Sequence, residues 1–282
     1  MELLQYTFFQ NALLGSLLAS IACAIMGTYI VSRRLVFISG GITHASFGGI
    51  GIGLYTGISP ILGAAIFSLL SALGIEWFSN RRDVREDSAI AVFWTLGMSV
   101  GIIFTFLSPG YVPDLSSYLF GNILAITMGD IIFMLFVTIV LIIFFSMYIH
   151  PIISLSFDRE FARSRGIPVM LFEYLLMSLT ALTIVSCLRM VGVVMAISLL
   201  TIPQMTANLF TKNFIRIIWL SGIIGTIGCV GGLFLSYYMN VPSGACIIFF
   251  SILVYVICKL VSVYLLRPHQ EEKKDLSVEN KV

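Results

Sequence analysis

Three histidines, five cysteines and fourteen carboxylates are the chain's whole stock for metal or proton chemistry, and their spacing argues against an enzyme. There is no GxSxG, no HExxH and no GxGxxG ahead of a helix, and no two carboxylates lie three or four residues apart inside an apolar run. The cysteines Cys23, Cys187, Cys229, Cys246 and Cys258 stand singly in apolar stretches, with no CxxC pair, and read as small packing residues. His269 lies in the polar C-terminal stretch, and His150 precedes Pro151 at a helix end. His44 differs, being set among Ile, Gly and Ala. An imidazole there is costly and by default marks a substrate or ion path, and neutral imidazole is the commonest metal ligand. A histidine bonded to a neighbouring helix would explain the same placement, with Thr43 and Ser46 serving a structural network.

Two further stretches carry polar groups in apolar surroundings. Phe157 to Pro168 (FDREFARSRGIP) gathers Asp158, Arg159, Glu160, Arg163 and Arg165 between two long apolar runs. Acidic residues open it, arginines follow, and Gly166 with Pro168 stop it, the pattern of a short amphipathic helix aligned with its dipole. Its plainer reading is a basic turn lying on anionic headgroups. In Ser198 to Asn208, Pro203 is expected to remove a backbone hydrogen bond in mid-helix. Thr201, Gln204, Thr206 and Asn208 are there to satisfy the freed carbonyl or to face a pore.

The elements that hold these residues follow from composition. Of 282 residues, 59% are hydrophobic and 11% charged, against about a quarter charged in soluble domains, so the chain is an integral membrane protein. Charge-free runs extend over Leu3–Ser32, Leu35–Ile75, Ser88–Pro113, Ile131–Phe157 and Ile217–Cys258. A span takes about 20 apolar residues, so the two longest runs each hold two helices, and the alternating strands of an outer-membrane barrel are absent. The expected fold is an all-α polytopic bundle with helices near 8–31, 37–56, 60–78, 88–107, 130–149, 169–188, 190–210, 217–237 and 243–265. That makes nine spans, or eight if the glycine-rich 37–56 segment is broken or re-entrant. Gly49, Gly51 and Gly53, and the series Gly222, Gly225, Gly228 and Gly232, are read as close-packing faces.

Arg33, Arg34, Arg81, Arg82, Arg85, Arg159, Arg163, Arg165, Lys212 and Arg216 fall in alternate loops, and Arg189 alone in the others. The positive-inside rule then orients the chain N-out and C-in. Met1–Asn11 has no basic n-region and no cleavage site follows it, so the first run is expected to be retained as a helix. The expected organisation is a membrane domain over 1–267 and a cytoplasmic polar tail over 268–282, whose mixed charge is disorder-like. No segment is large enough for a separate nucleotide-binding domain, and a net charge of +2 gives no sign of nucleic-acid binding.

Four blocks in fixed order, RRLVFISGGITHASFGG (33–49), VPDLSSYLFGNIL (112–124), FDREFARSRGIP (157–168) and LRMVGVVMAISLLTIPQMTANLF (188–210), resemble the membrane permeases of bacterial ABC importers for zinc and manganese. The resemblance implies a permease subunit of the bacterial inner membrane, without covalent cofactor, that homodimerises around a central path. It further implies a divalent metal delivered by an extracytoplasmic binding protein, and two cytoplasmic ATPase subunits that alone bind ATP. By the same resemblance Asp158, Arg159, Glu160, Phe161, Arg163, Arg165 and Gly166 couple to the ATPase, and His44 lies on the metal path. Pro203, Gln204 and Thr206 are carried as kink or pathway residues. The family pattern has an aspartate four residues before the histidine, and this chain has Gly40 there. A borderline-soft ion suits imidazole without a carboxylate, so zinc is the first expectation and manganese the second. The alternative class is a secondary transporter or cation channel that works without an ATPase.

Overall fold

The computed structural model describes residues 6–80, 85–109, 121 and 126–279, with the backbone alone at 189–191 and 265–279. Every regular element among them is helical: α1 Thr7–Ser32, α2 Val36–Thr56, α3 Pro60–Ser79, α4 Glu86–Leu107, α5 Met128–Phe157, α6 Arg159–Ser164, α7 Val169–Leu199, α8 Ile202–Phe210, α9 Phe214–Met239 and α10 Ser243–Glu279. Among the described residues nine segments are long and apolar enough to cross a membrane, Val169–Leu188 and Gly192–Phe210 being two of them. The all-α multi-pass architecture expected from the sequence is therefore the one observed.

Helices α1 and α2 form the middle of the bundle, with 72% and 78% of their apolar windows buried against 22% for α4 and for α10. Small side chains make this so. Ala12, Ser16, Ala19, Ser20, Cys23 and Gly27 line α1 and let neighbours approach closely, the usual packing device where lipid supplies no hydrophobic drive. The buried hydroxyls of Ser16, Ser20 and Thr28 donate to carbonyls one turn back, at 2.7 Å each, so these small polar groups are satisfied within the helix. The outer helices keep large apolar groups on their outward faces, such as Phe106, Phe136 and Trp219 at 85%, 64% and 73% exposed, as suits lipid or a partner.

The glycine-rich second segment is one unbroken helix, so the re-entrant alternative is not what the chain adopts. Its glycines serve packing instead. A methyl at Gly49 would enter the backbone of Gly63 on α3, one at Gly51 the backbone of Gly101 on α4, and one at Gly97 on α4 the backbone of Ala45. Backbone contacts this close on two sides hold α2 straight and fix the height of His44 against both neighbours. The later glycine series divides between two neighbours rather than forming one face. Gly222 and Gly225 look towards Ala24 and Ser20 of α1, whereas Gly228 and Gly232 take Ser251 and Ile247 of α10.

Three boundaries differ from expectation. Pro203 does not kink a helix from within: α7 ends at Leu199, and Pro203 stands in the first turn of the new helix α8, where a missing N–H costs nothing. A separate interruption at Gly192, whose φ of 75° and ψ of 170° only glycine adopts readily, falls where the expected helices 169–188 and 190–210 part. Helix α5 continues past position 149 through Pro151 to Phe157, with Tyr148 leaving helical angles at φ −117° and ψ 26°. Beyond Tyr264 the backbone of α10 is helical through Glu279, where the composition suggests none. Block 112–124 lies outside the described residues except for Gly121, at φ 67°.

Candidate functional site

His44 lies mid-way along α2, half-buried, with its ring flat against the indole of Trp94 on α4. The ring centroids are 4.2 Å apart and the planes 9° from parallel, a geometry that fixes the imidazole plane. No hydrogen bond among the described residues reaches the imidazole. Nδ1 is enclosed and unpartnered, which leaves Nε2 as the edge with access. The structural network suggested by Thr43 and Ser46 does not form around it, because Thr43 donates to Ser39 O at 2.6 Å and Ser46 to Thr43 O at 2.5 Å. A half-buried imidazole without a protein partner is a costly arrangement and a competent one for a passing cation.

One turn before it, Gly40 faces the same region. A Cβ there would meet only Ile197 Cδ1 and Trp94 Cζ3, both at 3.8 Å, which is ordinary contact. Position 40 thus accommodates a Cβ without a clash but supplies no ligand, and the indole edge borders it. No group of three or more His, Cys, Asp or Glu suited to a metal occurs among the described residues. Among the described residues the site within one protomer amounts to one imidazole.

At one end of the bundle, α6 forms as its capping residues predict. Asp158 caps it, accepting from the Glu160 and Phe161 amides at 2.9 and 3.0 Å; Arg163 pairs with Glu160 at 3.2 Å; and Gly166 ends it at φ 76°. The singled-out side chains point two ways. Phe157 and Phe161 are exposed, as are Asp158, Glu160, Arg163 and Arg165, and they form a mixed apolar and charged surface. A cleft of about 730 Å³ adjoins it, lined by Arg163, Ile167, Pro168, Met170, Leu171 and Tyr174. Arg159 turns inward instead, its Nη2 donating to Glu173 Oε2 at 2.7 Å and to Asn80 Oδ1 at 2.6 Å.

Glu173 on α7 is a residue that pattern reading missed. Its side chain is 2% exposed, and its other oxygen accepts from Arg33 Nη2 at 3.0 Å. Asn80 in turn donates to Glu76 on α3 at 2.8 Å, and Arg33 Nη1 to Leu155 O at 3.3 Å. A lone carboxylate in an apolar run escapes a search for local pairs. The available signal was position, since Glu76 and Glu173 each lie within a few residues of arginine-bearing loops and a buried charge needs such partners.

Gln204 and Thr206 are fully buried and serve the helix break. Gln204 donates to Cys23 O at 2.7 Å and to Leu199 O at 3.3 Å, and Thr206 to Ile202 O at 2.8 Å. Of these acceptors Leu199 O is a carbonyl freed at the end of α7, whereas Cys23 O ties α8 to α1 and Ile202 O lies within α8 itself, and neither side chain reaches the surface of the protomer.

The pattern of the ABC 3 transport family matches residues 5–262. An uncharacterized membrane protein of Synechocystis is 39% identical over 91% of both chains. The manganese transport system membrane protein MntC of Halalkalibacterium halodurans is 33% identical over 88% of this chain and 85% of its own. Among solved structures, PsaBC from Streptococcus pneumoniae in complex with Fab superposes with a TM-score of 0.84 at 28% identity, covering 95% of this chain and 98% of that one. With nine apolar helices among the described residues and this likeness along nearly its whole length, the chain belongs to the ABC 3 transport family, as a multi-pass permease subunit of a metal importer in the inner membrane, which leaves ATP hydrolysis to a separate partner.

Proposed function

We propose that two copies of this chain enclose a path for a divalent transition metal, that His44 contacts the ion in transit, and that α6 docks a cytoplasmic ATPase. The observation that carries the reading is the imidazole of His44, stacked on Trp94 with no hydrogen-bond partner among the described residues. An oriented and unsatisfied nitrogen on a membrane helix suits a ligand that arrives from outside the protomer. The exposed Phe157 and Phe161 among charges suit a soluble partner better than lipid. The cluster of Arg33, Arg159 and Arg163 near the start of α7, on the side of the α6 loop, supports an N-out and C-in orientation, with the metal delivered by a binding protein on the opposite side. The polar tail 268–282 is then cytoplasmic.

Manganese is the cargo that the relatives favour, since one of 33% identity carries a manganese transport name. Zinc is favoured by a single observation, the absence of a carboxylate at Gly40, which leaves imidazole as ligand and shifts preference towards the softer ion. The test is to purify the tagged permease, identify a bound ATPase, and measure Mn2+ and Zn2+ content in cells that express the complex. A bound ATPase and a rise in one metal support the reading. Uptake that persists when the ATPase is inactivated would contradict it and favour secondary transport.

A further inference from the structure

The inward-facing chain of polar and charged side chains has no role in metal contact, and its geometry is specific. It runs Glu76, Asn80, Arg159, Glu173, Arg33 through bonds of 2.8, 2.6, 2.7 and 3.0 Å. Its members come from four elements: Glu76 and Asn80 from the end of α3, Arg159 from α6, Glu173 from α7, and Arg33 from the end of α1. At its centre is a carboxylate with 2% exposure, each oxygen held by a different arginine. A buried ion group of this kind gains little stability over apolar packing, whereas removing one partner leaves a charge unpaired. Such a group therefore resists any relative movement of the elements it joins.

We propose that Glu173 is a positioning residue that relays movement of α6 to the metal path, an inference that rests on docking of the ATPase at α6. Helix α6 has six residues, too short to be stable alone, and Ala162 is its one fully buried side chain. Arg159 is its polar tie to the bundle. Displacing α6 pulls on Glu173 and Asn80 together, because one Arg159 nitrogen holds both and breaking its bond to Glu173 leaves a buried carboxylate short of a partner. Through Glu173 the pull reaches Arg33, which caps α1 three residues before α2 begins, and α2 carries His44. Through Asn80 it reaches α3, whose Gly63 backbone lies against Gly49 of α2. Both branches end on the helix that holds the imidazole.

The experiment uses the permease with its co-purified ATPase in proteoliposomes, with Mn2+ as the transported ion. It reads ATPase bound per permease and Mn2+ moved per ATP hydrolysed. Glu173→Gln keeps size and one acceptor but removes the charge. It should bind ATPase as the wild type does while Mn2+ moved per ATP falls by about tenfold or more, the scale of one lost charged bond. Arg159→Gln should do the same, and the double variant should be no worse than either alone, since the two side chains form one link. Wild-type Mn2+ per ATP in Glu173→Gln, with ATPase bound, overturns the relay and leaves docking intact. If no ATPase accompanies the wild-type permease, docking fails and the relay with it. Should Glu173→Gln not reach the membrane, Arg159→Met decides: it keeps an unbranched apolar stem but donates neither to Glu173 nor to Asn80, both of which Arg159 Nη2 holds. Unchanged Mn2+ per ATP in that variant overturns the relay.

Discussion

Adding a carboxylate at position 40 is the perturbation for which the structure gives the most to calculate with. Gly40 and His44 lie one helical turn apart on α2, so Cβ atoms at the two positions stand about 5–6 Å apart on one face. The new Cβ would meet Ile197 and Trp94 at 3.8 Å, an ordinary contact distance that displaces neither neighbour, and exchanging Gly for Asp within a helix changes propensity by only a few tenths of a kcal/mol. A carboxylate oxygen and an imidazole nitrogen at this separation both come within about 2.0–2.2 Å of a shared ion. A second ligand worth about 1.4 kcal/mol raises affinity for the ion about tenfold, with the larger gain for the harder ion. Gly40→Asp should therefore keep wild-type expression and raise the ratio of Mn2+ to Zn2+ uptake by about an order of magnitude. The assay is competitive uptake of the two ions by cells expressing the complex. An unchanged ratio at equal expression would refute the placement of positions 40 and 44 on one ion path.

Other predictions follow from single contacts. Trp94→Ala removes the surface that fixes the His44 ring plane; metal uptake should fall several-fold, about 1 kcal/mol of lost stacking, with protein levels unchanged, whereas Trp94→Phe should restore most of it. Gly51→Val forces a side chain into the Gly101 backbone and should destabilise the α2–α4 contact by about 3 kcal/mol, read as lost thermal stability in detergent. Glu160→Arg reverses charge on the exposed face of α6 and should uncouple uptake from ATP hydrolysis while the protein still inserts. Truncation after Pro268 should leave uptake intact, since no site residue named above lies beyond it.

Much of the fold was legible because lipid imposes a length and a polarity on each span. Boundaries such as Pro60 and Asn240 were readable from turn chemistry alone. Of the two breaks in this stretch, the one at Gly192 falls where the expected helices 169–188 and 190–210 part, whereas the one after Leu199 reads in sequence as a kink at Pro203, because proline announces a lost hydrogen bond without telling whether it bends a helix or starts one. For the candidate site, His44 stood out through its cost in an apolar run. Trp94 did not, since its role depends on α4 meeting α2 at a height set by Gly97 and Ala45, a tertiary fact. Arg159 read as one more charge on an amphipathic helix. That it turns inward depends on Asn80 and Glu173, 79 and 14 residues away, and no local pattern links those positions.

The account rests on metal passing His44, and substitution by glutamine tests this most directly. Glutamine keeps polarity and approximate size but is a poor ligand for transition metals. In proteoliposomes carrying the ATPase-bound complex, ATP-driven entry of Mn2+ and Zn2+ should fall at least about tenfold in His44→Gln, the loss of roughly 1.4 kcal/mol of ligand interaction, at equal ATPase binding. Entry of both ions at the wild-type rate would contradict the account and leave His44 as a packing residue against Trp94.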